Sequence, residues 1–150
     1  MCIRDRYLGG VWEDAELKDE AERHSEYTTW LGWISDKEKS RYLEQCDIFV
    51  LPSYFEGQSV AILEAMAAKC AVVASKTGGI PQMIEDGETG ILAAPKDADS
   101  LKKGLRRVLE DVELCRRLGE NARKKAEAEF SIEKNIEKLL QIYRKVLELS

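Results

Sequence analysis

The chain has 150 residues, 44% of them apolar and 34% charged, enough for one sizeable core and far from the composition of a disordered chain, a collagen-like rod or a disulfide-stapled miniprotein. A net charge of −5 argues against nucleic acid as a partner held by phosphate neutralisation, and no apolar run approaches the roughly 20 residues that cross a bilayer. Four cysteines (Cys2, Cys46, Cys70, Cys115) without a C-x-x-C pair, beside a single His, predict free thiols in a reducing cytoplasm and no zinc site.

Charge is unevenly spread. Residues 1–100 hold 10 Lys/Arg against 19 Asp/Glu, whereas residues 101–150 hold 13 against 9. The basic last third leaves open a peripheral contact with an anionic inner membrane face. The plainer reading is the solvated side of amphipathic helices.

In chain order, short apolar strands alternate with amphipathic helices, the pattern of a parallel sheet covered by crossover helices. A strand is predicted at residues 7–11, a helix capped by Asp14 and running to His24 with Leu17 and Ala21 inward, and a strand at 28–34. Ser35 with Glu38 forms a capping box that opens a helix to about Gln45. Residues 48–51 (IFVL) read as a strand buried on both faces and stopped by Pro52. Residues 59–69 form an all-round apolar, small-residue helix, 71–75 the next buried strand, 77–81 a Gly/Pro turn, and 89–93 a further strand. From Leu101 the period is 3.6: Leu101, Leu105, Val108 and Leu109 share one face, and Leu114, Leu118 and Ala122 the next. Ile132, Ile136, Leu139, Leu140, Tyr143 and Leu147 form a last stripe behind an N-cap at Ser131.

Residues 1–6 (MCIRDR) carry three charges where an entering strand should be apolar. They read as a non-native adapter scar, and residues 7–150 as part of one domain.

The chemistry concentrates at 48–69, IFVLPSYFEGQSVAILEAMAAK. Ligands of an open parallel α/β sheet bind beyond the carboxyl ends of the strands, where the next helix points its positive N-terminus. Residues 52–58 therefore sit where a phosphate would sit, with Gly57 allowing close backbone approach and the N–H groups of Gln58, Ser59 and Val60 as anion donors. Glu56 lies on the loop lip, and Glu64 in the second turn of an otherwise apolar helix, where a carboxylate wants hydrogen-bond donors such as paired sugar hydroxyls. A solvated loop charge (Glu56) and a surface or salt-bridged position (Glu64) remain the structural alternatives. Thr77, Gly78, Gly79, Ile80 and Pro81 reach the same sheet edge, where two glycines permit a turn that turns its N–H groups to a ligand.

Gly32 and Trp33, CDIFVLPSYFEG at 46–57, LEAMA at 63–67, GGIP at 78–81 and DGETGIL at 86–92 together resemble the donor-binding half of the retaining GT-B glycosyltransferases of family four. The resemblance runs over nearly the whole chain from Tyr7 and implies a Rossmann-like parallel sheet with a helical C-terminal segment. Its most specific element is a Glu, seven residues and a second Glu, met here by Glu56 and Glu64. It implies a hexosyltransferase of polysaccharide synthesis in which Glu56 contacts donor-sugar hydroxyls, Glu64 the ribose, and the Gly57, Gln58 and Ser59 backbone the sugar or phosphates. Gly32, Trp33 and Ile34 would border the base, with core packing the alternative for Trp33. The chain departs from the family pattern at Ser59, Lys69, Ala71 and Gln82; Lys69 replaces a helix-terminating glycine. The family's diphosphate-clamping Arg and Lys and its N-terminal acceptor domain would precede Tyr7, so the expectation is a fragment that is inactive alone. No metal or other cofactor is expected: Asp97 and Asp99 imitate a metal-binding Asp-x-Asp, but precede a helix that Asp97 can cap. His24, among Glu20, Glu22 and Glu26, reads as solvated. The competing functions are a non-catalytic nucleotide-sugar-binding or interaction domain and a GT-B-like nucleotide-sugar epimerase.

Overall fold

The computed structural model describes residues 5–7 and 15–148, in two compact units, Met1–Arg41 and Tyr42–Ser150. In the first unit β1 (Asp5–Tyr7) pairs in parallel with β2 (Thr28–Trp30), with α1 (Ala15–Arg23) between them in sequence. The strand expected at residues 7–11 thus meets the observed one only at Tyr7, and 8–11 lie outside the described residues. Asp5 and Arg6, set aside above as non-native, belong to β1; ladder bonds are made by backbone groups, so charged side chains do not prevent them. β2 ends at Trp30 rather than at Ile34, because Gly32 has φ +58, a conformation that no extended ladder continues through. Ala21 is buried as expected. The Thr28 hydroxyl donates to the Ala21 and His24 carbonyls at 2.7 and 2.5 Å, in addition to the backbone N–H bonds that these carbonyls accept from His24 and from Tyr27 and Thr28. His24 is exposed, yet its Nδ1 lies 2.7 Å from the Tyr27 hydroxyl and its Nε2 3.2 Å from Glu20.

The predicted capping box is present at α2 (Asp36–Leu43). The Ser35 N–H and hydroxyl donate to Glu38 Oε2 at 3.0 and 2.6 Å, and these bonds hold the Glu38 carboxyl below the usual carboxylate range.

The second unit is built on three parallel strands in the order β3 (Ile48–Leu51), β4 (Ala71–Ser75), β5 (Ile91–Ala93). Every residue of β4 is buried, and its side chains alternate between two cores. Val72 and Ala74 join Ile62, Met66, Ile80, Met83 and Ala122, while Ala71 and Val73 join Ile91, Val108 and Leu118. The first set comes largely from α3 (Val60–Ala67), α4 (Ile80–Met83) and α6 (Val112–Glu129), the second from α6 and α5 (Ala98–Glu110). β3 departs from the sequence expectation. It is an edge strand of this sheet and Val50 is 36% exposed, so it is not buried on both faces.

α3 is shorter than predicted and not buried all round, since Val60 at its start is 67% exposed. The turn read at 77–81 leads into α4, with Pro81 in its first turn, where a missing N–H costs nothing. Asp97 caps α5 by accepting from the Ser100 N–H at 2.9 Å, as the sequence predicts. Leu109, expected on the inner face of α5, is 41% exposed. The reason is Gly104: a Cβ there would lie 3.0 Å from Ile91 Cγ2, so the helix turns its Gly104–Val108 line onto the sheet and carries Leu109 outward.

α7 (Ile132–Glu148) carries the predicted stripe, but none of its residues is buried; Leu140 is 49% and Ile132 73% exposed. Cys70 is fully buried, its Sγ 3.4 Å from the Leu43 carbonyl and 3.5 Å from that of Cys46. Among the described residues no helix is long and apolar enough to cross a membrane.

Candidate functional site

Because β3 and β4 are parallel neighbours in register from Ile48↔Ala71 to Leu51↔Ala74, the segments that leave them emerge at the same edge of the sheet. Residues 52–59 lead from β3 into α3, and residues 76–79 from β4 into α4. These two segments are in backbone contact. The Gly79 N–H donates to the Glu56 carbonyl at 3.3 Å, and the Thr77 hydroxyl donates to the Tyr54 carbonyl at 3.3 Å. A Cβ on Gly79 would lie 2.7 Å from the Gly57 oxygen.

Sequence reasoning gives Gly57 a close backbone approach to a ligand, and the side of Gly57 where a Cβ would project has nothing within 4 Å; the close backbone contact between the two loops is made at Gly78 and Gly79. The glycine pair therefore locks one loop to the other, and the Gly79 N–H is used inside the protein.

Glu56 is half-buried on this locked loop, with Oε2 accepting from the Ser53 hydroxyl at 3.1 Å. Glu64 follows in the second turn of α3; it too is half-buried, and its Oε2 is shielded from solvent. Ser59 occupies the N-cap position of α3 and is buried, but its hydroxyl makes no cap bond. The first N–H groups of α3 are thus not satisfied by their own cap, and a helix start of this kind favours an anion. Two carboxylates for hydroxyl donors and a helix start for a phosphate fit one polyhydroxylated, phosphorylated ligand.

Tyr54 and Phe55 are 73% and 85% exposed immediately before Glu56. Lys96, on the segment after β5, has φ 60 and holds its Nζ 5.9 Å from the Tyr54 ring centroid. Neither the aromatic pair nor Lys96 was singled out by sequence; two adjacent aromatics in a loop beside Glu56 are the signal that could have found the first.

Gly32, Trp33 and Ile34 belong to the first unit. Trp33 is 76% exposed, so core packing is not its role there. The DGETGIL motif is structural. Gly87 has φ +81, the Glu85 N–H donates to the Thr89 hydroxyl at 2.9 Å, and the Leu92 N–H to Asp86 Oδ1 at 2.9 Å. Asn121 and Lys125 of α6 tie this turn down through the Glu88 carbonyl and the Glu85 carboxylate.

Residues 8–125 match the model of the family described as "Glycosyl transferases group 1". The chain is 35% identical over 115 residues to the MMP alpha-(1->4)-mannosyltransferase of Mycolicibacterium hassiacum, covering 76% of this chain and 28% of that protein. It spans about a third of the length of the curated relatives it matches. The structure superposes on sucrose-phosphate synthase from Thermosynechococcus elongatus with a TM-score of 0.84 at 29% identity, over 98% of this chain and 39% of that one. Anabaena Alr3699/HepE, solved in complex with UDP-glucose, shares the fold with a TM-score of 0.78 at 21% identity, over 93% of this chain and 40% of that one. The parallel sheet with its flanking helices is the architecture of these GT-B proteins, and with the family model matched over residues 8–125 the chain belongs to the group 1 glycosyl transferases.

Proposed function

We propose that this chain is the donor-binding part of a retaining glycosyltransferase, and that it holds a nucleotide-diphosphate sugar for transfer to an acceptor hydroxyl. The observation that carries this reading is the locked loop pair, which fixes Glu56 at the sheet edge just before the start of α3, with Glu64 one turn further on. Glu64 accepts from the ribose hydroxyls, Glu56 from hydroxyls of the sugar, and the backbone of Gly57, Gln58 and Ser59 meets the sugar or the phosphates. In the transfer, the bond from the anomeric carbon to the diphosphate oxygen breaks, and the bond to the acceptor oxygen forms on the same face. The acceptor proton passes to the leaving diphosphate. The protein contributes position and stabilisation of the positive charge that develops on the sugar ring.

The complex of the similarly folded HepE makes UDP and UDP-glucose the first ligands to titrate. Calorimetry on the chain with UDP should show Glu64→Gln weakening binding roughly 10- to 150-fold, the loss of a charge-assisted hydrogen bond worth about 1.5–3 kcal/mol. Glu56→Gln should leave UDP binding nearly unchanged and weaken UDP-glucose. A folded Glu64→Gln variant with unaltered affinity for UDP removes the ribose assignment.

A further inference from the structure

Ser59 holds the cap position of α3 without capping it. Its backbone has φ −85 and ψ 111, the extended conformation of an N-cap, and its carbonyl accepts from the Leu63 N–H at 3.3 Å. The hydroxyl nevertheless bonds none of the N–H groups of the helix. Ser35 and Ser131, at the starts of α2 and α7, do so, accepting from the Glu38 and Lys134 N–H groups at 3.4 and 3.3 Å. Ser59 is only 6% exposed, and a buried hydroxyl without a partner costs free energy. Among the described residues its oxygen has no hydrogen-bond partner, yet it is not sealed from solvent, so its free side opens outward at the helix start. No acidic side chain lies in the first turn of α3, and the helix therefore supplies no anion of its own there. A donor hydroxyl beside open N–H groups at the positive end of a helix suits an anionic oxygen from outside.

We propose that the Ser59 hydroxyl donates a hydrogen bond to the diphosphate of the nucleotide sugar, so that this chain holds the phosphates by a side chain as well as by backbone and separates diphosphate ligands from the bare nucleoside. The inference rests on the donor reading of Glu56 and Glu64, and deepens it at a position where the chain departs from the family pattern. Ser59 follows Glu56 by three residues and precedes Glu64 by five. A rise of about 1.5 Å per residue puts Glu64 about 7.5 Å further along the helix. In a nucleotide sugar the diphosphate joins the ribose to the sugar, so a ligand with its ribose at Glu64 and its sugar at Glu56 carries its phosphates past Ser59. Phosphate oxygens only accept, and a hydroxyl free to donate is their match.

Calorimetry on the chain with UDP and with uridine, for the wild type, Ser59→Ala and Ser59→Gly, tests this. No cap bond is lost in either variant and glycine is itself accepted at an N-cap, so both should unfold in urea near the wild-type midpoint. Each is expected to weaken UDP about tenfold, the loss of one charge-assisted hydrogen bond, and to leave uridine within about twofold of the wild type. UDP affinity unchanged in both variants, a loss in only one of them, or an equal loss for uridine and UDP each overturns the Ser59 contact while the donor reading stands. No UDP binding in the wild type removes the donor reading, and the Ser59 contact with it.

Discussion

A Cβ built on Gly78 would lie 1.6 Å from the carbonyl oxygen of Glu56. The loop that carries the site carboxylate and the loop that leaves β4 therefore meet backbone to backbone, at a point where no side chain fits. Gly78 also has φ +53, so two independent constraints select glycine there. Glu56 owes its place less to its own loop than to a residue on the neighbouring one.

Gly78→Ala is accordingly expected to destabilise the chain by more than about 3 kcal/mol, since it adds a backbone clash to the cost of a left-handed alanine. Gly57→Ala, whose new methyl meets nothing within 4 Å, should stay within about 1 kcal/mol. Urea unfolding of both variants separates them. Equal midpoints would mean that the loops do not depend on this contact.

Lys69 closes α3 with φ 65, the left-handed position in which the family pattern has glycine. Lys69→Gly should raise stability by about 1 kcal/mol by relieving the Cβ penalty. The carbonyl of Lys69 lies under α6, where a Cβ on Gly119 would approach it to 2.1 Å, so Gly119→Ala should be destabilising in either background. Denaturation midpoints of the two single variants and the double variant check both statements; a Lys69→Gly variant no more stable than the wild type contradicts the first.

Burial pushes the Cys70 thiol from its ordinary value of 9.0 up to about 12. The folded chain keeps a proton that the unfolded chain releases. The contribution to stability is therefore whole below pH 9 and lost as the pH climbs through 12. Stability measured between pH 8 and 11 should fall more steeply for the wild type than for Cys70→Ala, and Cys70 should resist thiol reagents until the chain unfolds. Parallel pH profiles for the two proteins would show that Cys70 does not titrate with folding.

Much of the fold was legible because its causes are local. The apolar runs IFVL and AVVAS mark β3 and β4 to the residue, one bounded by Pro52 and both too short for helices. Ser35 with Glu38 and Asp97 with Ser100 make their cap bonds across three residues, a geometry that neighbours in sequence settle by themselves. Where the expectation failed, a partner distant in sequence had intervened. Gly104 meets Ile91 and thereby turns Leu109 outward, and the place of β3 at the edge of its sheet exposes Val50.

The candidate site divides the same way. The spacing of Glu56 and Glu64 around a helix start was readable from the residues in order, because a loop and the first two turns of α3 set it with no help from elsewhere. That Gly78 and Gly79 join this loop to the one that leaves β4, and that Thr77 fixes the Tyr54 carbonyl, depends on contacts about twenty residues apart in sequence that the β3–β4 register brings together. Hydrogen-bond caps and hydrophobic period act within a few residues, and so the sequence determined the elements and the spacing of the two carboxylates. Backbone contact between two loops exists only once their strands are paired, which is why the tertiary structure alone decided how the site is held.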